Sequence, residues 1–356
     1  MNMLAAREGV ITAVALSTAV LAAVMRALHA PAVWTFFVCA ISLATLAGMV
    51  GMSTEQVGKK LSSGATGVLQ GALGNLPELL VGIFSLRAGL VKLVQAALVG
   101  SILANTLLVL GLAFLFGGLK NGVQRFQQKQ PRMIATLMLL AVAAMILPTL
   151  VASLHTAGAK HIGDMSVAVS IVLLIVFAAS IPCSIRGVEP VVAEQLEGED
   201  PGPVWPTWFA ISMLVIAGVV SAVVSDWFVD AMQPAIAKLH LSQAFTGLVI
   251  VAIAGNAVEN FVGVQLAVRN QTDYAISVIL NSGLQVALGL TPILCLLSFL
   301  IGGTHLTLVM PPLLVVSLLL STLIAILIIG DGESIWLEGV ALIGLYAIIA
   351  ASFWWG

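Results

Sequence analysis

Two glutamates stand deep inside long apolar runs, each in the same five-residue frame. The first frame is Gly74-Asn75-Leu76-Pro77-Glu78 and the second is Gly255-Asn256-Ala257-Val258-Glu259. A carboxylate removed from water is costly, so each must be protonated, hydrated or bound to a cation. Of the sixteen acidic residues, the remaining fourteen are expected in loops or near the ends of apolar runs, and no Lys, Arg or His stands mid-run to neutralise the pair. Brought together, the two carboxylates could neutralise one divalent cation or hold two protons. Competition of that kind is what an antiporter needs. Oxygen ligands suit Ca2+, which takes about six to eight of them in adaptable geometry. Glu78 and Glu259 are therefore the candidate cation- and proton-binding residues. Backbone carbonyls loosened at the Gly-Asn pairs and at Pro77, together with water, are expected to complete the shell.

The polar residues nearest these frames are the candidate lining. Asn75 and Asn256 stand three residues before their glutamates and share a helix face with them. The apolar run after each frame carries a serine, Ser101 and Ser282, each 23 residues beyond its glutamate. Asn105, Asn281 and Gln285 are further polar groups in those runs, with Asn281 and Gln285 four apart on one face. The plainer alternatives are interhelical hydrogen bonding for the serines, close helix packing for Gly67, Gly71 and Gly74, and a structural role for Gln95.

The elements that must position these residues follow from composition. The chain has 356 residues, 60% hydrophobic and only 8% charged. Soluble domains carry about 25% charged residues, so this is an all-α membrane protein in expectation. The runs are too long and too continuously apolar for barrel strands. At roughly 20 residues per crossing, about eleven transmembrane helices are expected. They fall near 9–27, 32–52, 62–86, 92–117, 132–154, 165–184, 206–228, 243–268, 273–301, 307–329 and 334–355. The net charge of -2 gives no support to a nucleic-acid partner. Cys39, Cys183 and Cys295 match no metal-knuckle spacing and read as small apolar residues. The repeated frame divides the chain into a peripheral helix (1–30), a five-helix repeat (31–185), an acidic linker (186–204) and a second five-helix repeat (205–356). A unit with an odd number of spans inserts its adjacent copy upside down, so the repeats are expected to be inverted.

Orientation follows from the basic residues. With a cytoplasmic N-terminus only Arg26, Arg87, Lys92, Lys160 and Lys238 lie outside, leaving nine of the fourteen inside. The acidic linker, with Glu189, Glu194, Glu197, Glu199 and Asp200, then faces the cytoplasm, either to attract cations or simply as a solvated tether.

These stretches in this order resemble the cation/proton exchanger family of the Ca2+/cation antiporter superfamily. The likeness is carried by the two glutamate frames, Val94-Gln95-Ala96, Gly100-Ser101-Ile102-Leu103-Ala104-Asn105, Val224-Ser225-Asp226-Trp227, Leu284-Gln285-Val286-Ala287-Leu288, Thr291-Pro292 and Asp331 to Gly339. The resemblance implies one peripheral helix plus two inverted five-helix repeats, with a Ca2+ site at their interface. It implies Ca2+ export or sequestration driven by a proton gradient. It places the binding glutamates on Glu78 and Glu259, the lining Gly-Asn pairs on Gly74-Asn75 and Gly255-Asn256, and polar partners on Ser101, Ser282 and Gln285. The chain departs from the family pattern at Leu76-Pro77, at Asn260 (usually His), at Asn281-Ser282-Gly283 and at Ile335. The expected substrates are Ca2+ and H+, with the lipid bilayer as surroundings and no cofactor. A monovalent cation (Na+ or K+)/proton antiporter is the alternative within transport, and an ion sensor without flux is a further one. An intramembrane enzyme is disfavoured, because HExxH, GxGD and a Ser/His pair within the runs are all missing. Short termini point to a bacterial cytoplasmic membrane.

Overall fold

A computed structural model describes residues 6–61, 69, 73–186, 205–301 and 304–354. The acidic linker around Glu189 to Asp200, and Gly67 and Gly71, lie outside the described residues. The described chain is almost wholly helical. Its helices are α1 (Ala6–Ala27), α2 (Ala32–Gly58), α3 (Leu76–Arg87), α4 (Val91–Asn121), α5 (Lys129–Ser153), α6 (Ile162–Arg186), α7 (Thr207–Leu239), α8 (Gln243–Gly255), α9 (Ala257–Val268), α10 (Thr272–Ile301), α11 (Pro312–Ile329) and α12 (Trp336–Ser352). Two short strands, β1 (Gln124–Arg125) and β2 (Glu333–Ser334), pair antiparallel.

Eight helices, counting α6 with the turn that leads into it, are long and apolar enough to cross a membrane, and a ninth span results if the bent pair α8–α9 is one crossing. The expected total of eleven is thus not reached on length and apolarity among the described residues. Helix α12 has only 17 residues, and of the stretch 62–86 only Leu69 and residues from 73 onward are described.

Several ends differ from expectation. Helix α2 runs on to Gly58 and α7 to Leu239. Glu55 and Asp230 therefore lie within helices rather than beyond them, and Asp226 lies well inside α7 rather than near its end. These extensions mix buried residues, such as Gln56 and Met232, with charged ones, and hydropathy alone does not register them. Helix α11 starts at Pro312, not near 307. Pro311 holds an extended backbone, and Pro312 suits a first helical position, where no N–H is needed.

Contacts group the described chain into two units, Met1–Phe84 with Ile175–Ala235, and Ser85–Leu174 with Ile236–Gly356. In the first, α1 lies along α2, and Phe36 of α2 stacks on Phe228 of α7 with ring centroids 4.9 Å apart. A closed triangle of hydrogen bonds joins α1, α2 and the residue leading into α7. Gln56 Nε2 donates to Glu8 Oε1 at 3.3 Å, Trp205 Nε1 donates to Glu8 Oε2 at 3.0 Å, and Trp205 N–H donates to Gln56 Oε1 at 3.1 Å. Toward its other end α1 offers Arg26, paired with Asp230 at 2.9 Å and set over the Trp227 ring.

In the second unit α4 and α8 cross at two glycines. A Cβ on Gly100 would stand 2.3 Å from the Leu248 carbonyl oxygen, and one on Gly247 would stand 2.5 Å from that of Leu93. Side chains are excluded on both sides of this crossing, so the two backbones meet directly, as small residues permit in membrane proteins. The irregular segment ahead of α11 is buried in this unit, and side chains satisfy its backbone. Gln95 Nε2 donates to the Thr307 and Val309 carbonyls at 3.0 and 2.8 Å. Thr149 Oγ1 donates to the Leu308 carbonyl and accepts from Met310 N–H. Ser166 Oγ accepts from Leu308 N–H, and Ser298 Oγ from Leu306 N–H. Non-helical backbone is tolerated in such surroundings only when its polar groups are paired in this way. The structural role expected of Gln95 is this one.

Candidate functional site

Both glutamate frames sit where a helix begins. Asn75 immediately precedes α3, whose third residue is Glu78. Asn256 immediately precedes α9, whose third residue is Glu259. Each carboxylate therefore occupies the first turn, at the positive end of its helix dipole. The local cause is the Gly-Asn pair. Asn256 has φ -90° and ψ 15°, which ends α8, and the chain turns by 63° between α8 and α9. The break keeps two backbone bonds, from Asn256 N–H to Ala252 and from Asn260 N–H to Asn256. On the first-repeat side Gly74 and Asn75 form a turn and α3 follows at once.

Glu78 belongs to the first unit, where both its carboxylate oxygens and the Asn75 residue are out of solvent. Glu259 belongs to the second. Its Oε2 is out of solvent and takes no hydrogen bond among the described residues, and the same holds for the neighbouring Asn260 Oδ1. From sequence Asn260 stands only as a departure from the family pattern; the burial of its amide oxygen next to Glu259 is the signal that adds it.

Four of the candidates meet in one buried polar knot of the second unit. Asn105 Nδ2 lies 3.0 Å from the Ser101 carbonyl, 3.2 Å from Asn256 Oδ1 and 3.2 Å from Ser282 Oγ. The Ser282 hydroxyl donates to Asn256 Oδ1 at 3.4 Å, and Asn256 Nδ2 donates to the Ala252 carbonyl at 2.8 Å. Asn105 and Asn256 are both 0% exposed. The knot ties the helix break to α4 and α10, the two helices that follow the frames. Among the described residues it leaves one acceptor, Asn105 Oδ1, buried without a hydrogen bond. Asn281 and Gln285, on α10, are half-buried, and Gly255 is buried ahead of the break.

The knot is flanked by backbone that the sequence did not announce. Helix α4 opens into a π-helical segment at Ala104–Val109, and α10 does so at Val286–Leu290, directly after the Ser101 and Ser282 turns. A third lies in α8 at Thr246–Val251, ahead of the Gly-Asn pair. Single π turns inside α-helices recur at functional sites, since they widen the helix and shift side-chain register. A threonine within or directly after each bonds a carbonyl about one turn back: Thr106 to Ile102, Thr246 to Ser242 and, just past the α10 segment, Thr291 to Val286.

Among the described residues no group of three or more His, Cys, Asp or Glu comes together. The oxygens gathered in the second unit around the break are amide, hydroxyl, backbone carbonyl and the Glu259 carboxylate, a donor set that suits hard cations rather than zinc or copper.

Comparison with known proteins bears on this arrangement. The sodium/calcium exchanger protein family matches residues 31–185 and 209–355. A protein named Ca(2+)/H(+) antiporter from Aphanothece halophytica is 33% identical over 92% of this chain and 91% of its own. The Ca(2+)/H(+) antiporter ChaA of Bacillus subtilis is 32% identical over 92% of this chain and 93% of its own. Among solved structures, native YfkE superposes with a TM-score of 0.82 at 28% identity, covering 97% of this chain and 99% of its own. The H+/Ca2+ exchanger CAX gives 0.72 at 16% identity over 98% and 92%, a likeness of fold alone. With both halves matched and relatives alike over nearly their whole length, the chain belongs to the sodium/calcium exchanger protein family.

Proposed function

We propose that the protein is a secondary active antiporter that exchanges Ca2+ for protons across a membrane by alternating access. The observation that carries this is the duplicated Gly-Asn-x-x-Glu frame, each copy placing a buried carboxylate in the first turn of a helix, the second beside a sealed knot of Asn and Ser. Glu78 and Glu259 bind Ca2+ when ionised and release it when protonated, so the two substrates compete for the same oxygens. Gly74, Asn75, Gly255, Asn256, Ser101, Asn105, Asn281, Ser282 and Gln285 line and shape the path. The repeats 31–185 and 205–356 are inverted copies, with residues 186–204 as the cytoplasmic link. The names of the Aphanothece and Bacillus relatives support Ca2+ over a monovalent cation as cargo. Bacterial relatives support a cytoplasmic membrane, although a relative from Schizosaccharomyces pombe is named a vacuolar calcium ion transporter. The test is cation flux in vesicles containing the purified protein under an imposed pH gradient. Ca2+ uptake that collapses with a protonophore supports the reading. Proton-coupled Na+ or K+ flux without Ca2+ flux would replace it with the monovalent one.

A further inference from the structure

The start of α5 is basic, and nothing in the exchange site uses it. An open groove of about 650 Å3 is lined there by Gln128, Lys129, Arg132, Met133, Thr136 and Leu137. These residues form two rows of i, i+4 neighbours. One row is polar (Gln128, Arg132, Thr136), and the other passes from a cation to apolar side chains (Lys129, Met133, Leu137). Lys129 and Arg132 are exposed and make no ion pair among the described residues, whereas the nearby Arg125 is taken up by Glu333 at 3.0 Å. Gln128 is held from behind, because its side chain packs against Gly332.

The face below this groove is open among the described residues. Leu140 is 60% exposed and Leu147 is 50% exposed, while the opposite face, through Ile134, Met138 and Val142, is buried. Two cations with no ion partner among the described residues thus head an apolar stripe. At 1.5 Å per residue Leu140 lies about 12 Å along the helix from Arg132, within the roughly 15 Å that one leaflet offers. A free anion would use the cations and leave the stripe idle. An uncharged lipid would use the stripe and leave the cations without a counter-charge. We propose that this groove is a binding site for one anionic phospholipid. Its phosphate pairs with Lys129 and Arg132, with Gln128 as an added donor, and an acyl chain follows Met133, Leu137 and Leu140. Basic pockets at the head of membrane helices bind anionic headgroups for this reason.

The experiment is native mass spectrometry of the full-length protein in an uncharged detergent, titrated with phosphatidylglycerol, with phosphatidylcholine of the same chains, and with inorganic phosphate. The expected result is one preferred phosphatidylglycerol per chain. The Lys129→Gln/Arg132→Gln double variant should weaken it about thirtyfold, the loss expected of two basic side chains at a lipid surface, and leave phosphatidylcholine binding unchanged. Met133→Trp, which fills the groove and keeps both charges, should also displace phosphatidylglycerol, and it carries the test if the double variant is not monodisperse. Lys120→Gln, which removes a cation elsewhere on that side of the second unit, should have no effect. Unchanged phosphatidylglycerol binding in the groove variants, an equal loss in Lys120→Gln, or full competition by inorganic phosphate would overturn the proposal.

Discussion

Replacing Asn105 with leucine removes the donor at the centre of the polar knot while nearly preserving side-chain volume. The amide Nδ2 faces three acceptors within 3.2 Å, but it has only two protons to give. At most two full bonds are lost. Side-chain hydrogen bonds inside membrane proteins average about 0.6 kcal/mol and reach about 1.7 kcal/mol, so the expected destabilisation is about 1–2 kcal/mol. The Ser101 carbonyl suffers least, since it also accepts from the Ala104 N–H. Asn256 Oδ1 keeps the Ser282 hydroxyl, and that remaining bond is what Ser282→Ala would remove. Apparent melting temperature, followed by thermal aggregation in detergent, should fall by about 2–5 °C in Asn105→Leu. Because the two residues share Asn256 Oδ1, the double variant Asn105→Leu/Ser282→Ala should depart from additivity by at least about 0.5 kcal/mol. Strict additivity, or an unchanged melting temperature with wild-type uptake in Asn105→Leu, would refute the idea that this knot organises the helix break.

Three further outcomes follow from other parts of the chain. Gly100→Val should abolish recovery of monodisperse protein in size-exclusion chromatography, because its Cβ would meet the Leu248 carbonyl oxygen at 2.3 Å and that atom is backbone. Trp205→Phe removes the indole donor to Glu8; as a bond to a carboxylate it should cost about 1–3 kcal/mol, read as a lower melting temperature with ion selectivity unchanged. A reporter fused after Gly356 should report an extracytoplasmic location, from the odd number of expected spans and the excess of Lys and Arg assigned to the other side, and a cytoplasmic signal there would remove one span or reverse the orientation.

Much of the site was legible in the sequence because its signals are local and chemical. A glutamate in an apolar run is rare enough to notice, and its repetition in one frame is rarer. Asn256 ends α8 where a Gly-Asn pair is expected to loosen a helix, and Ser101, Asn105, Asn256 and Ser282 meet as polar groups in apolar surroundings must. The π segments at Ala104–Val109, Thr246–Val251 and Val286–Leu290 were not legible. An i to i+5 bond changes no hydropathy and needs no special residue, and a threonine that bonds back one turn looks like any other. The segment before α11 was misread for a related reason. Leu306, Leu308, Val309 and Met310 are as apolar as a helix, and only the burial of Gln95, Thr149, Ser166 and Ser298 around them reveals extended backbone. Pro311-Pro312 was the available clue to where the helix starts.

The central claim is that two carboxylates exchange Ca2+ for protons. The most direct test is Ca2+ uptake into vesicles under a pH gradient by Glu78→Gln and Glu259→Gln, each checked for monodispersity. Glutamine keeps the shape and hydrogen bonding of the side chain but removes its charge, leaving the other carboxylate to face a divalent ion alone. Both variants should insert and fold, and both should lose proton-driven Ca2+ uptake. Substantial proton-driven uptake by either variant would contradict the account.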